Sequence, residues 1–552
     1  MLQDNFVKLL EESFRTNCDA PAITDYFTSE VFTYYTLAQE VAKLHMLFDA
    51  CGLKGDDRVA IVGRNNPRWV IAYIAVVTYG STAVPIMQDF DANDINHIIV
   101  HAQVRLLFTG DLFWDIIEPE STAKVKAVFS LSDFRCIYER DGERLTEFQR
   151  DILRHFNSRY PKGFLSGDID YEAPPIEKAA MICYTSGTTG FSKGVLLTVG
   201  NLTSNVEFLL SKNVFGRGVR TLELLPLGHI FGLVCDMLAP LAAGAHITLL
   251  GRMPSVKLLV KALQGVRPHV VCTVPQVMER LARRTVLDRM HSGAVKLVSL
   301  VPTMNTLIEP AARKLLAHAF GGELRLVLVG GAPLNREIEQ FLLRIKFPFT
   351  VAYGMTECAP LISYSPPEDF VPGSCGRIVS RMEAKVDSPE PARIPGEILV
   401  RGENVMQGYY RDKKDTARTF DADGWLHTGD AGTLDSGNVL RIRGRMETRV
   451  VMPDGTVVYP EEIESMLNVM DGVMESLVAM HEGRLTAFVV PDYEQADHMG
   501  LGMNGIRELM EDNLAALNAA LGADIQVSKI ELYPSEFEKT PKMSIRRYLY
   551  TK

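Results

Sequence analysis

The chain has 552 residues, more than one hydrophobic core usually serves, so several domains are expected. Its composition, 47% hydrophobic and 23% charged, is that of an ordinary globular chain, and a net charge of −10 excludes a global basic field for nucleic acid. Eight scattered cysteines without a C-x-x-C argue against a zinc ribbon or a disulfide framework and fit a reducing, cytoplasmic setting. No apolar run reaches bilayer-spanning length, and Met1–Asn5 lacks the basic and apolar parts of a signal peptide. Peripheral membrane contact and oligomeric state stay open.

Residues 5–50 read as two amphipathic helices around a short strand pair near Ala22-Ile23-Thr24 and Val31-Phe32-Thr33. Gly55-Asp56 turns the chain into a buried strand, Arg58–Val62. Asn65-Asn66-Pro67 is a helix-start signal for a helix through Tyr79, and Ala83–Ile86 is the next strand. This strand–helix–strand rhythm predicts a parallel α/β sheet. His97 and His101 stand four apart on a helix, a metal-ligand spacing in principle. No H-E-x-x-H pattern or third ligand accompanies them, so a structural or surface pair is expected.

Ala179–Cys183 is a buried strand, with Cys183 part of its core. Next comes Tyr184-Thr185-Ser186-Gly187-Thr188-Thr189-Gly190-Phe191-Ser192-Lys193-Gly194, with five small hydroxyl residues, three glycines and a lysine within eleven positions. Glycines let the backbone approach a ligand, hydroxyls and exposed N–H groups donate, and Lys193 adds a cation. Together they describe a cradle for a polyphosphate. It is not a Walker A loop, because Lys193 lies between Ser192 and Gly194 rather than between Gly and Ser/Thr.

Farther along, Leu225-Pro226-Leu227-Gly228-His229-Ile230-Phe231-Gly232 places a histidine among glycines and apolar residues; a satisfied core histidine is the plain alternative. Val271–Pro275 followed by Gln276–Leu281 reads as a strand, a proline at a helix start, and a helix. Leu326–Val329 is a buried strand ending in Gly330-Gly331-Ala332-Pro333-Leu334, a turn at a strand's carboxyl end, where open α/β sheets bind ligands. In Tyr353-Gly354-Met355-Thr356-Glu357, the tyrosine suits a purine face, Thr356 a phosphate, and Glu357 a Mg²⁺ ion; a solvated turn is the plain alternative. From Gly373 the chain turns β-rich, and Gly424-Trp425-Leu426-His427-Thr428-Gly429-Asp430 sets Asp430 to accept two hydrogen bonds from a ribose diol. Gly444–Glu447 is the candidate domain boundary, Pro453-Asp454-Gly455 a turn, and the rest a small α+β unit.

Taken in order, these motifs closely resemble the acyl-adenylate-forming (AMP-binding) superfamily, and most of all its long- and medium-chain fatty acyl-CoA synthetases. The resemblance covers nearly the whole chain. It implies a large N-terminal domain of layered α/β sheets with a β-rich part (1–443), a hinge (444–447) and a small mobile α+β C-terminal domain (448–552). It implies ATP, Mg²⁺ and CoA as cofactors and co-substrates. A carboxylate, in this reading that of a fatty acid, would be converted to acyl-AMP and then passed to the CoA thiol. Thr185, Ser186, Gly187, Thr188, Thr189, Gly190 and Lys193 would grip the phosphates, and Gly331, Ala332 and Pro333 would line the adenine. Tyr353, Gly354, Thr356, Asp430 and Arg445 would complete the nucleotide site. Thr185, Lys193, His229, Glu357 and Lys542 would carry catalysis, with Glu357 on the metal and His229 near the carboxylate. Gly455 would border the CoA channel, and Glu447 would be the hinge.

The resemblance fails at one motif. In Glu538-Lys539-Thr540-Pro541-Lys542-Met543-Ser544-Ile545-Arg546-Arg547, alignment on Thr540, Ile545 and Arg547 puts Ser544 where the family has its catalytic lysine. Serine cannot neutralise charge at the reacting centre. Lys542 could swing in, Arg546 or Lys552 could substitute, or the chain could be a degenerate, non-catalytic binder. The segment from Lys539 to Lys552 keeps five basic residues and no acidic one. A carrier protein's phosphopantetheine is the alternative acceptor to CoA.

Overall fold

The computed structural model describes residues 4–140, 142, 144–185, 192–251, 254–287, 305–452, 455–522, 525–539 and 545–550. Two large sheets build the N-terminal part. The eight-stranded sheet runs in the order Gly408–Tyr409, Lys193–Thr198, Ala179–Thr185, Thr82–Ile86, Arg58–Val62, Leu106–Thr109, Ala127–Ser130, Cys136–Glu139. Its middle strands are parallel, as the strand–helix rhythm predicts. Its edges are antiparallel, which the strand–helix rhythm does not address. For the strand pair Ala179–Thr185 and Lys193–Thr198 the reason is loop length. Thr185 pairs with Lys193, and so short a connection closes a hairpin, whereas a parallel return needs about a dozen residues or more.

The seven-stranded sheet runs Phe349–Val351, Leu326–Val329, Val270–Thr273, Arg220–Glu223, His246–Leu249, Pro21–Asp25, Val31–Thr33. It is parallel except at the Val31–Thr33 edge. The helix Pro67–Thr78 is buried on almost every side, as its continuous apolar sequence requires of a helix within the core. Asn66 caps it, its side chain accepting from the Trp69 N–H at 3.0 Å, with Pro67 at the first turn.

The β-rich part is a four-stranded antiparallel sheet: Met382–Asp387, Gly396–Gly402, Leu426–Leu434, Leu440–Arg445. Its last strand runs to Arg445, and the turn begins at Met446, so the first half of the expected 444–447 hinge belongs to the sheet. Beyond it, Val473–His481, Arg484–Pro491 and Lys529–Leu532 form a three-stranded sheet. The helices Pro460–Leu467 and Met503–Leu521 cover it around a separate core that includes Ile463, Leu467, Val478 and Leu517. Among the described residues no helix is long and apolar enough to cross a membrane.

Candidate active site

The carboxyl ends of the seven-stranded sheet gather several predicted site residues. After Leu326–Val329 the chain turns through Gly330 into the exposed Gly331, Ala332 and Pro333; Gly331 has φ 88°, a left-handed conformation that favours glycine. After Arg220–Glu223 it runs to His229, whose ring Nδ1 accepts from the Phe231 N–H at 3.3 Å and caps the turn Ile230–Gly232. The two turns touch: a Cβ on Gly330 would meet the Phe231 ring at 2.9 Å. The chain then enters a π-helix, Leu233–Leu238.

Asn65 holds the His229 turn in place. Its Nδ2 donates to Glu223 Oε1 at 2.7 Å and to the Leu225 carbonyl at 3.0 Å, while its Oδ1 accepts from the Leu227 N–H at 3.1 Å. Sequence reasoning used Asn65 only as part of a helix-start signal. The available hint was a second asparagine, ahead of the cap, at a strand's carboxyl end. Burial pushes the Glu223 carboxyl up to about 7 despite these donors.

Tyr353 and Asp430 meet directly, the phenol donating to Asp430 Oδ2 at 2.6 Å. Arg445 Nη1 lies 3.0 Å from Asp430 Oδ1. Burial raises the Asp430 carboxyl and the Arg445 cation opposes the rise. Both carboxylate oxygens thus have protein partners, and a diol would share their remaining lone pairs. Gly354 is forced by packing, since a Cβ would collide with the Pro360 carbonyl. Thr356 is buried and opens the turn Thr356–Cys358, which also carries Glu357. The Tyr409 hydroxyl donates to Glu357 Oε1 at 3.0 Å.

Thr185 and Lys193 face each other at the mouth of the cradle hairpin. Ser186, Gly187, Thr188, Thr189 and Gly190 lie outside the described residues. The Lys193 ammonium pairs with the Asp415 carboxylate and lies 5.3 Å from the Tyr409 ring centroid. The base of the hairpin is braced by His101, whose Nδ1 is 2.7 Å from the Tyr184 hydroxyl, with the His97 ring stacked on it at 5.5 Å. Burial, then His97, lowers the His101 pKa and favours its neutral form. Cys183 is buried in its strand.

In the C-terminal unit, Gly455 has φ 88° and its N–H donates to the Met452 carbonyl at 2.9 Å. Glu447 lies in the turn after Arg445. Lys542 and Ser544 lie outside the described residues. On either side of them, Lys539 pairs with Glu475 at 2.7 Å, and Arg547 pairs with Glu464. These two tail cations are therefore engaged within the C-terminal unit.

A hairpin mouth flanked by Thr185 and Lys193, a buried Asp430 held between half-buried Tyr353 and exposed Arg445, and a glycine turn at strand ends suit a nucleotide. A family model described as AMP-binding enzyme matches residues 10–410. The chain belongs to the AMP-binding enzyme family. Asp430 and Arg445 lie beyond the matched span. The 4-coumarate--CoA ligase of Vanilla planifolia is 28% identical over 468 residues, covering 81% of this chain and 76% of that one. Long chain acyl-CoA synthetase 3 of Arabidopsis thaliana is 29% identical over 512 residues, covering 84% and 74%. Among solved structures, ATP-bound MatB from Rhodopseudomonas palustris matches with a TM-score of 0.74 at 24% identity, over 99% and 98% of the two chains. This last likeness speaks for the fold of the AMP-binding enzyme alone.

Proposed function

We propose that this AMP-binding enzyme activates a carboxylic acid with ATP, giving acyl-AMP and pyrophosphate, and then transfers the acyl group to the thiol of CoA. The observation that carries the reading is a pair of contacts: the His229 turn packs on the glycine turn through Phe231 and Gly330, and Tyr409 joins Lys193 at the hairpin mouth to Glu357. Lys193 would neutralise the β/γ-phosphates, and Tyr353, Asp430 and Arg445 would hold the nucleoside. Positioning and charge neutralisation would lower the barrier to attack on the α-phosphate. No nucleophile from the protein is needed.

Magnesium fits this donor set. Among the described residues no group of three or more His, Cys, Asp or Glu side chains could hold a metal by itself. Glu357 would contribute one hard oxygen, with phosphates and water completing the shell, as Mg²⁺ prefers. When bound, the ion would spread the charge of the phosphates. The hinge at Glu447 and the CoA channel at Gly455 belong to the same proposal. The relatives include both coumarate and long-chain acyl ligases. A fatty acid is the preferred substrate in view of the G-G-A-P-L turn at Gly330–Leu334.

A second reading has one observation in its favour: Ser544 stands where the resemblance asks for a lysine, which suits a nucleotide or acyl binder without catalysis. Carboxylate-dependent ATP–pyrophosphate exchange across acetate, palmitate and aromatic acids decides between them. Exchange with at least one acid is expected, and thiol consumption with CoA but not with carrier protein. No exchange with any acid supports the binder.

A further inference from the structure

Lys193 stands opposite Thr185 at the hairpin mouth, yet its charge is already answered within the protein. Its ammonium pairs with Asp415 Oδ2, on the third residue of the helix Lys413–Thr419. Both side chains are partly shielded, at 36% and 23% exposure, so the pair is tighter than a freely solvated one. Asp415 is ionised at neutral pH, as an ordinary aspartate is, and the hydrogen bond from Lys193 holds its carboxyl further below the usual range. The same segment reaches the predicted metal carboxylate. Tyr409 lies against Lys193 and donates through its hydroxyl to Glu357, and its backbone N–H donates to Thr416 Oγ1 at 2.9 Å, tying the tyrosine to the helix that bears Asp415. A lysine carries one charge, and an adjacent carboxylate both saturates it and repels a polyphosphate. If Asp415 leaves Lys193 it is not stranded, because Arg418 lies one helical turn on, with Nη1 3.4 Å from the other carboxylate oxygen, Oδ1.

We propose that Asp415 is an internal competitor for Lys193, displaced onto Arg418 when the β/γ-phosphates of ATP arrive, and that it thereby sets the affinity for ATP and the ease of pyrophosphate release. The inference rests on the reading of Lys193 as the phosphate cation. Asp415 is a positioning residue here, acting through Lys193.

The test compares Asp415→Asn, Lys193→Met and the double variant by calorimetric titration with ATP, and with AMP as a ligand lacking the β/γ-phosphates. Asp415→Asn is expected to tighten ATP binding about three- to fivefold, the scale of a partly exposed ion pair, and to leave AMP binding unchanged. Unchanged AMP binding also reports an intact fold, and Asp415→Ser repeats the test with a smaller side chain. The gain is expected to vanish in the Lys193→Met background. Weaker ATP binding in Asp415→Asn, or a gain that survives without Lys193, overturns the competition. If Lys193→Met weakens ATP binding while Asp415→Asn changes nothing, the inference fails alone. If Lys193→Met leaves ATP binding unchanged, the reading of Lys193 fails and the inference with it.

Discussion

Glu223 and Asn65 make a testable pair of side chains beneath His229. The Glu223 carboxyl is buried, accepts from Asn65 and from the Leu250 and Gly251 N–H groups, and titrates at about 7 instead of 4.5. In the folded chain it therefore keeps its proton to higher pH than in the unfolded chain. Where the folded state binds more protons, stability falls as pH rises. The loss runs between about pH 4.5 and 7 and amounts to about 3.5 kcal/mol at most, since each unit of pKa is worth about 1.4 kcal/mol. Glu223→Gln keeps an acceptor for Asn65 and removes the titration. Asp236, the buried carboxyl that interacts with Glu223, is present in both proteins. Urea unfolding at a series of pH values is expected to give a variant that gains on the wild type steadily across this window. A difference that stays flat with pH would place the proton elsewhere.

The cradle hairpin shows which parts of an element a sequence displays. The buried run Ala179–Cys183, the cap at Asn66 and the glycine turn after Val329 were legible because each is a local signal of burial period, capping or backbone freedom. The partnerships that complete the site were not, because they join distant positions: Asn65 to Glu223 across 158 residues, Tyr353 to Asp430 across 77. Lys193 was legible as a cation, but Asp415 as its partner depended on strand Gly408–Tyr409 adding to the hairpin edge, with Tyr409 opposite Val195. Gly194 tests how far the hairpin's packing supports the cradle. A Cβ there would come within 2.8 Å of Ile182 Cγ2 and 3.1 Å of Tyr184 Cζ. Gly194→Ala must shift Ile182 and crowd Tyr184, the partner of His101, at an overpacking cost of about 1–3 kcal/mol. A lower Tm together with weaker ATP binding is expected. A fully stable variant with normal ATP affinity would uncouple the packing at Gly194 from the cradle.

Across the whole molecule, the contacts of the C-terminal unit with the large sheets decide how that unit is oriented. Asn335 Oδ1 caps the helix Arg336–Arg344 through the Glu337 N–H at 2.8 Å, while its Nδ2 donates to the Ser465 carbonyl at 2.6 Å. Arg283 Nη2 donates to the Val469 carbonyl, also at 2.6 Å. Both acceptors lie around the carboxyl end of the helix Pro460–Leu467, where carbonyls lack helical partners and carry partial negative charge. Nearer the turn, Arg443 Nε is 3.1 Å from Glu462 Oε1, and the Thr448 hydroxyl donates to Glu461 Oε1 at 2.6 Å. Polar contacts of this kind suit an interface that breaks and reforms, because relative domain motion is the default where an interface is not large and apolar. Arg283→Ala combined with Asn335→Ser removes both donors to the helix end; serine keeps the cap of Arg336–Arg344 but falls short of the Ser465 carbonyl. Trypsin cleavage at Arg445 and Arg449 is expected to rise several-fold, as local opening becomes easier, while the main thermal transition of the large sheets stays in place. If the chain turns about Glu447 between its two half-reactions, acyl-AMP formation and thioester formation should shift in opposite directions, because both draw on one equilibrium between orientations. Equal loss of both rates would mean that the two donors serve folding, and unchanged rates with unchanged cleavage would mean that they do not hold the orientation at all.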